Sequence, residues 1–474
     1  MNRREFHAAV AGLIANTTGS SLLANHNTFR PEWSSLNQHQ IPKWFQEAKL
    51  GIFIHWGLYS VPAWAPTTGE LGKVDKDKWF TYNPYAEWYL NSLRIVGSPT
   101  QKHHVETYGR NFDYYRFKEA FDKENQAWHP DNWAKLFEQT GARYVVLTTK
   151  HHDGFRLWSS DVNNPKAARE KITAKRDLVG ELTQAVRARN MKMGLYYSGG
   201  LDWTFTNEPI RSEQDLYARV PQSVEYAKYT DAHWRELIKR YQPAVLWNDI
   251  SYPKAGEIPN LFAEYYNAVP DGVINNRFGV QFADYTTPEY SKYDKITPKK
   301  WEACRGLGFS FGYNRAEGPE QVIAPDKLVA LLVDIVSKNG NLLLNVGPRP
   351  DGTISDIQLD RLQKLGAWLR GNGEGIFGSR PWQQAAAKTN DGTDIRFTQK
   401  GDALYVFFLA RPGGSKLTIP GVLGEAGTKA EILGGSSAVS VTTGNSGMVL
   451  ETKNAFPPDL AITAKITPLP RIRS

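Results

Sequence analysis

The fold is decided by YVVLTTK (residues 144–150), DLVGELTQAVRAR (177–189) and KMGLYYS (192–198). The first and third segments are short runs of apolar, β-branched or aromatic residues, which favour extended strands. In the segment between them, apolar residues recur every three to four positions, which is the spacing of one helix face. A strand, a helix and a strand in this order predict a βαβ unit with parallel strands.

The same alternation extends over residues 40–375. Helical patterns begin at Pro130 and cover residues 327–336, and further strand candidates lie between such patterns. These candidates are GIFIHWG (51–57), AVLWND (244–249), GVINNR (272–277), FSFGY (309–313) and NLLLNVG (341–347). Seven strands with intervening helices predict an α/β fold of the (β/α)8-like, TIM-type barrel class, with some irregularity.

The composition changes after Trp382, because every Trp and every His lies at or before that residue. The remaining chain alternates apolar and polar residues between Gly-rich turns, as in DIRFTQ, ALYVFFLA, KLTIP, GMVLE and DLAITAKI. Such short, closely spaced strands favour a small antiparallel β-sandwich. Since 474 residues exceed the usual size of one core, we expect a catalytic barrel over 31–378 and a β-sandwich domain over 379–474.

Composition narrows the classes of partner. The chain is 41% apolar and 22% charged, which is typical of a globular protein. The formal charge of +8 comes from scattered Lys and Arg residues, so we expect no nucleic-acid partner. No apolar run approaches the ~20 residues that span a bilayer, so we expect no membrane partner. Cys304 is the single cysteine, so no intramolecular disulfide can form. Homo-oligomerisation stays open.

The N-terminus carries an export pattern. Arg3 and Arg4 precede Phe6 and a mildly apolar stretch that ends near Ala24. This arrangement resembles a bacterial twin-arginine signal, although polar residues interrupt the apolar stretch. We therefore expect residues 1–30 to be an export signal with a disordered N-terminus, and the mature protein to be periplasmic or secreted. The alternative is a cytoplasmic protein.

Polar side chains stand at the carboxyl ends of the strand candidates, where barrel enzymes build their active sites. They are His55, the pair His151 and His152, the pair Tyr196 and Tyr197, Asp249 and Arg277. A single His after a strand is as readily a structural hydrogen-bonding group as a functional one. Two adjacent imidazoles in one strand-to-loop turn favour a functional site.

Three carboxylates are candidates for chemistry. Asp249 follows an apolar strand beside Trp247, and its simpler role would be to cap the next helix. Glu289 in DYTTPEY and Glu302 in KKWEAC are expected on loops near the same face. Two carboxylates in one pocket meet the requirement of glycoside hydrolysis for a nucleophile or base and an acid. Sequence spacing alone does not establish that they converge.

Longer motifs carry a family resemblance. From about Trp44 to Trp382 the chain resembles the α-L-fucosidases of glycoside hydrolase family 29. The segments concerned are WFQEAKLGIFIHWGLYSVPAW, NPYAEWY, WHPDNWAKLFEQTGARYVVLTTKHHDGFRLW, GLYYSGGLDW, PAVLWNDISYP, TPEY, KWEACRGLGFSFGYNR and NGNLLLNVGPRPDG. The resemblance implies a retaining exo-α-L-fucosidase that acts on fucosylated oligosaccharides or glycoconjugates, with no cofactor and no metal ion.

The resemblance also implies residue roles. Asp249 matches the nucleophile that forms a covalent fucosyl-enzyme, and Trp247 would line the sugar beside it. Glu289 matches the acid/base best because Arg277 lies twelve residues before it. Glu302 is the alternative acid/base, and its simpler role would be to hold its loop. A retaining enzyme needs its carboxyl groups about 5–5.5 Å apart, with an ionised nucleophile and an acid whose pKa is raised.

A set of fucose-binding positions follows from the same resemblance. Imidazoles, a carboxylate and a guanidinium would bind the hydroxyls, while an aromatic face accommodates the C5 methyl group. Glu87 could instead pair with an Arg, and Tyr197 could simply fill the barrel mouth. The matching positions are His55, Glu87, Trp88, His151, His152, Tyr197 and Arg277.

Two other functions stay open. A metal-dependent barrel hydrolase could use His55, His151, His152 and Asp249 as zinc ligands, although it would leave Glu289 unused. A non-catalytic fucose-binding protein would have no need of two carboxylates in its pocket.

Overall fold

A computed structural model describes residues 28–435, 438–453 and 459–473. The expected export signal, with Arg3 and Arg4, falls on residues 1–27 and lies outside the described residues. Within the described part of the chain, no helix combines the length and the apolar content that crossing a membrane requires.

A parallel sheet of seven strands forms the centre of the larger part of the molecule. Its order is β5-β4-β3-β2-β1-β7-β6, so that β1 lies between β2 and β7. Every residue of β2 is buried, as expected for a parallel strand covered on both faces. The strands are β1 Leu50–Ile54, β2 Tyr144–Lys150, β3 Lys192–Tyr197, β4 Val245–Asn248, β5 Val273–Ile274, β6 Trp301–Gly306 and β7 Gly340–Val346.

Residues 285–289 close this sheet between β5 and β6. Tyr285 forms a parallel bridge with Asn275, and Thr286 forms one with Trp301. A further bridge joins Glu289 to Cys304. These isolated bridges take the place of an eighth strand, so the predicted (β/α)8-like barrel is confirmed and its irregularity lies at this segment.

Helices surround the barrel. They are α1 Trp33–Leu36, α2 Lys43–Ala48, α3 Lys76–Trp79, α4 Tyr89–Arg94, α5 Pro99–Tyr108, α6 Phe117–Glu124, α7 Pro130–Thr140, α8 Arg169–Ile172, α9 Leu178–Ala188, α10 Glu213–Ala218, α11 Val224–Tyr241, α12 Ile258–Ala268, α13 Pro325–Ser337 and α14 Asp356–Asn372. The predicted helices correspond to α7, α9 and α13. Asp177 caps α9 by accepting a hydrogen bond from the Gly180 N–H (3.0 Å).

One strand prediction was wrong. FSFGY (309–313) is not a strand, and the strand of that region is β6, which contains Glu302. Glu302 therefore lies in the barrel wall and not on a loop. The strand was missed because WEACRG mixes polar and apolar residues, whereas pairing with β7 and burial on both faces make it a strand.

The C-terminal part is antiparallel, as predicted. Eight strands form one sheet in the order β11-β15-β14-β13-β16-β10-β9-β8, and β12 pairs with β17 as a separate ribbon. Phe397, Leu404 and Leu450 belong to the core of this sheet. The strands are β8 Arg380–Lys388, β9 Asp394–Lys400, β10 Ala403–Phe408, β11 Lys416–Pro420, β12 Val422–Leu423, β13 Lys429–Ile432, β14 Ala438–Gly444, β15 Gly447–Thr452, β16 Ile462–Thr467 and β17 Arg471–Ile472.

Candidate active site

A cavity of about 840 Å³ opens at the carboxyl ends of the barrel strands. The C-terminal sheet contributes nothing to its lining, since the lining residues all precede residue 312. Nine of the eleven residues that were given a catalytic or sugar-binding role from the sequence line this cavity. They are His55, Glu87, Trp88, His151, His152, Trp247, Asp249, Arg277 and Glu289.

Asp249 directly follows β4 and points into the cavity. Its Oδ1 accepts a hydrogen bond from Arg277 Nη1 (2.8 Å), and its Oδ2 accepts one from the Tyr196 hydroxyl (3.0 Å). Burial by itself raises the pKa of this carboxyl, but the Arg277 charge, nearby His152 and these hydrogen bonds outweigh burial. The pKa of Asp249 therefore lies below its ordinary value, and the group is ionised at neutral pH.

Glu289 reaches the same guanidinium from the closing segment of the barrel. Arg277 Nη2 donates to Glu289 Oε2 (2.9 Å), and the Tyr85 hydroxyl donates to Oε1 (2.9 Å). Arg277 is oriented in turn because its Nε donates to Thr287 Oγ1 (3.0 Å). The two carboxylates thus converge on neighbouring nitrogens of one side chain, within one cavity.

The backbone turns sharply behind each of these carboxylates. Ile250 and Ser251, directly after Asp249, have φ of 51° and 68°, and Tyr290, directly after Glu289, has φ of 47°. Non-glycine residues rarely adopt this left-handed region, and a β-branched residue such as Ile250 does so at a cost. Strained backbone of this kind concentrates at functional sites, and here it follows both acids.

Three buried imidazoles face the cavity. Burial lowers the pKa of His55 to about 3 and that of His152 to about 4, and it holds the pKa of His151 well below its usual range. All three rings are therefore neutral at pH 7. A neutral imidazole offers one N–H donor and one lone-pair acceptor, which suits the hydroxyl groups of an uncharged ligand.

Hydrogen bonds fix the tautomers of two of these rings. Asn345 Nδ2 donates to the Phe311 carbonyl (2.6 Å), so its Oδ1 accepts from His55 Nδ1 (2.6 Å). Ser198 donates to the Leu201 carbonyl (2.6 Å), so its oxygen accepts from His152 Nδ1 (2.6 Å). In both rings Nε2 is left as an acceptor.

His151 and His152 offer free polar groups to a ligand. His151 Nδ1 is buried without a hydrogen-bond partner among the described residues. His152 Nε2 and Asp249 Oδ2 lie 3.9 Å apart, and because both are acceptors they do not bond to each other. A ligand hydroxyl could donate to either of them.

Glu87 and Trp88 form another wall of the cavity. Glu87 Oε2 accepts hydrogen bonds from the Gly312 N–H (2.7 Å) and from Ser310 Oγ (3.2 Å). It pairs with this backbone turn, not with an Arg, and burial raises its pKa to about 7. The Trp88 ring meets the edge of His152 at 5.3 Å between ring centres and provides an aromatic surface.

Tyr197 does not line the cavity, which corrects its selection as a sugar-binding residue. Successive residues of a strand point to opposite faces, so Tyr196 faces the barrel interior and Tyr197 faces the helices. The Tyr197 hydroxyl bonds to His233 Nδ1 (2.9 Å), and its ring packs against Trp234. In the structure, Tyr196 pairs with Trp247 across β3 and β4, and both side chains line the cavity.

Glu302 lies outside the cavity as well, behind the ring of Trp247. Its Oε1 accepts from Trp247 Nε1 (3.0 Å), and its Oε2 accepts from the Tyr144 hydroxyl. Burial raises the pKa of Glu302 to about 7. A fully buried carboxyl in this place supports Trp247 and has no direct access to a ligand in the cavity.

Three contacting residues were given no catalytic or sugar-binding role from the sequence. Tyr85 and Tyr196 donate to the two acids, and Thr287 orients Arg277. Tyr85 and Thr287 carry no distinguishing local pattern, because their contacts join segments far apart in the chain.

The zinc-ligand set does not form. Among the described residues, no group of three or more His, Cys, Asp and Glu side chains is arranged to hold a metal ion.

Fold and site together define the class of protein: a barrel glycoside hydrolase with two carboxylates in a polar and aromatic cavity. A sequence model described as alpha-L-fucosidase matches residues 17–374. The chain belongs to the α-L-fucosidase family.

Individual relatives agree with this assignment. The chain is 34% identical to human tissue alpha-L-fucosidase, over 93% of this chain and 92% of that protein. It is 31% identical to the alpha-L-fucosidase of Dictyostelium discoideum, over 89% of each chain. The structure of Thermotoga maritima alpha-fucosidase in complex with fucose is 46% identical, with a TM-score of 0.84 over 93% of this chain and all of that one (100%).

Proposed function

We propose that the protein is a retaining exo-α-L-fucosidase, with Asp249 as the nucleophile and Glu289 as the acid/base. One observation carries the proposal: Asp249 and Glu289 bond to the two terminal nitrogens of the same Arg277 guanidinium, at 2.8 Å and 2.9 Å. Sharing one guanidinium keeps the carboxyl groups close, which favours the retaining arrangement of about 5–5.5 Å over the wider inverting one.

The reaction has two steps. In the first, the ionised Asp249 attacks the anomeric carbon, the bond to the leaving oxygen breaks, and Glu289 gives that oxygen its proton. In the second, the Glu289 carboxylate takes a proton from water, the water oxygen attacks the anomeric carbon, and Asp249 is released. Two inversions at one carbon give net retention.

The remaining residues bind the sugar. His55 and His152 present Nε2 acceptors to fucose hydroxyls, and Glu87 adds a carboxylate oxygen. Trp88 offers an apolar face for the C5 methyl group. Fucosylated oligosaccharides or glycoconjugates are the substrate class, in line with the name of the family.

The test is proton NMR of an aryl α-L-fucoside digest, followed before the free sugar mutarotates. We expect α-L-fucose as the first product, and β-L-fucose would overturn the retaining mechanism. Asp249→Gly should lower kcat/KM at least about 10⁴-fold. With azide as an external nucleophile, this variant should form β-L-fucosyl azide, because a single displacement inverts the carbon.

A matched pair of variants separates the acid candidates. Glu289→Gln should lower kcat/KM by about 10²–10⁴-fold, with the larger loss for poor leaving groups. Glu302→Gln, which still accepts from Trp247, should stay within about threefold of the wild type. The reverse order would assign the acid to Glu302. Full loss of activity after EDTA dialysis would favour the metallohydrolase, and fucose binding without turnover would favour the binding protein.

A further inference from the structure

The cavity extends beyond the two carboxylates towards a pair of short helices at its mouth. α3 and α10, with the segment before α3, contribute lining residues that differ in character from the polar inner part. Leu71, Val74, Leu216 and Tyr217 supply mainly apolar surface there.

The volume of the cavity exceeds what fucose needs. Fucose has eleven non-hydrogen atoms and takes up at most about 330 Å³, at the ~30 Å³ that a water molecule occupies in the liquid. The cavity measures about 840 Å³, so more than half of it is left outside the sugar-binding part. The inner walls carry the imidazoles and acids, which places this remaining space at the mouth.

Helix α10 contributes to the core only at its edge, where the partly buried Leu216 packs against it. None of its residues is buried, and Tyr217 is 65% exposed although it is a large aromatic residue. The helix is held by the Ser212 cap on the Asp215 N–H (3.1 Å) and by an exposed ion pair of Glu213 with Lys76 (3.5 Å). An aromatic ring kept in solvent at a cavity mouth is typical of a ligand-binding surface.

The ion pair also sets the charge of the mouth. Lys76 and Glu213 both line the cavity and neutralise each other, so the mouth offers polar groups without net charge. Such a surface suits an uncharged ligand that has an apolar face and hydroxyl groups. The C–H face of a pyranose ring is apolar, and its hydroxyls bond to either member of the pair.

We propose that Leu71, Val74, Leu216 and Tyr217 form the leaving-group site, and that the leaving group is an uncharged pyranose stacked on the Tyr217 ring. This inference rests on the proposed function, because the acid at Glu289 has to reach the oxygen between fucose and the leaving group. That oxygen lies between the inner part of the cavity and its mouth.

The experiment compares two substrates that differ only in the leaving group. α-L-Fucosyl fluoride has a single-atom leaving group and cannot use the mouth. The other substrate is the fucosylated disaccharide that the wild type cleaves fastest among α-1,2-, α-1,3-, α-1,4- and α-1,6-linked ones. The quantity measured is the ratio of kcat/KM for the disaccharide to kcat/KM for the fluoride.

Tyr217→Ala should lower this ratio about tenfold. Tyr217→Phe, which keeps the ring, should leave the ratio within about twofold of the wild-type value. Tyr82→Ala is the matched control, because Tyr82 is also exposed (43%) but does not line the cavity. An unchanged ratio in Tyr217→Ala, or an equal fall in Tyr82→Ala, would overturn the leaving-group site alone. Failure of the wild type to hydrolyse the fluoride would overturn the proposed function itself.

Discussion

Arg277 lies between the two acids, and its guanidinium carbon is 4.7 Å from the centre of the Trp247 ring. Trp247 is held in turn by Glu302 (3.0 Å), so a buried carboxyl below the cavity supports the surface on which the guanidinium rests. A planar guanidinium offers each carboxylate its own terminal nitrogen in a rigid fork, whereas a lysine would offer both of them one nitrogen on a flexible stem. The charge balance of the site therefore depends on one residue.

Arg277→Met tests this dependence. Without the guanidinium, the largest influence that lowers the pKa of Asp249 is lost, so this pKa rises. Because Asp249, the proposed nucleophile, attacks only when ionised, the acid limb of the kcat/KM profile should move to higher pH. We also expect kcat/KM at the optimum to fall at least about 100-fold.

The control for this prediction is Arg235→Met. Arg235 pairs with Glu257 and Glu264 on the outer surface, and its loss should leave the pH profile in place. An unmoved acid limb in Arg277→Met would show that Arg277 does not set the ionisation of Asp249.

At the scale of the element, the alternation of side-chain direction along β3 decides which tyrosine faces the cavity. Tyr196 faces inward and donates to Asp249, whereas Tyr197 faces the helices. Arg156 Nη1 donates to His233 Nε2 (3.3 Å), so the ring hydrogen of His233 lies on Nδ1 and is donated to the Tyr197 hydroxyl. Neighbouring residues of the same type thus have separate functions.

The pair Tyr196→Phe and Tyr197→Phe should separate these functions. Tyr196→Phe removes a hydrogen bond to Asp249, the proposed nucleophile, and should lower kcat/KM about tenfold with little effect on stability. Tyr197→Phe leaves the buried His233 N–H unpaired and should cost about 1–3 kcal/mol of stability, with kcat/KM nearly unchanged. Enzyme kinetics and urea unfolding measure the two effects, and a reversed pattern would contradict the assignment.

At the scale of the whole molecule, the barrel and the C-terminal sheet are joined by a common hydrophobic cluster and by an ion pair. Trp368 of α14 belongs to the same hydrophobic cluster as Tyr405 and Phe407 of β10. Asp334 of α13 is surrounded by three cations, one of which, Arg396, comes from β9. The C-terminal sheet is thereby tied to the helices that surround the catalytic barrel.

Asp334→Asn should destabilise the protein by about 3 kcal/mol at pH 7, since it leaves the largely buried Lys338 and Arg396 without their partner. Burial raises the pKa of Asp334, but hydrogen bonds from Lys292, Lys338 and Arg396 lower it by more than burial raises it. The resulting pKa is about 2, below the ordinary value of 3.8. A lowered folded pKa means that this stability is complete above about pH 4 and is lost as the pH falls towards 2.

Urea unfolding of the wild type and Asp334→Asn at pH 7 and pH 3 measures this effect. The difference between the two proteins should narrow at pH 3. Asp360→Asn is the control, because Asp360 is a partly exposed acid on α14 (39%) whose loss should change stability far less. A difference that widens at pH 3 would contradict the sign given above.

Residue types and local periodicity were enough to predict the barrel, the antiparallel C-terminal part, and the convergence of Asp249, Arg277 and the imidazoles on one face. They did not identify β6, because its pattern is mixed and its burial comes from its neighbours. The family resemblance selected Tyr197, whereas the structure places Tyr196 in the cavity, because the placement of β3 in the sheet decides which of two adjacent residues faces inward. Tyr85 was not found because its partner, Glu289, is 204 residues away.

The sequence by itself determined what depends on near neighbours: strands and helices from periodicity, and family membership from long motifs. The tertiary structure alone decided that residues 285–289 close the barrel, that Glu302 stands behind Trp247, and that one guanidinium joins Asp249 and Glu289. The physical reason is that these relations are distances and directions between distant segments. Strand register and burial set them, and neither quantity is encoded in a local stretch of residues.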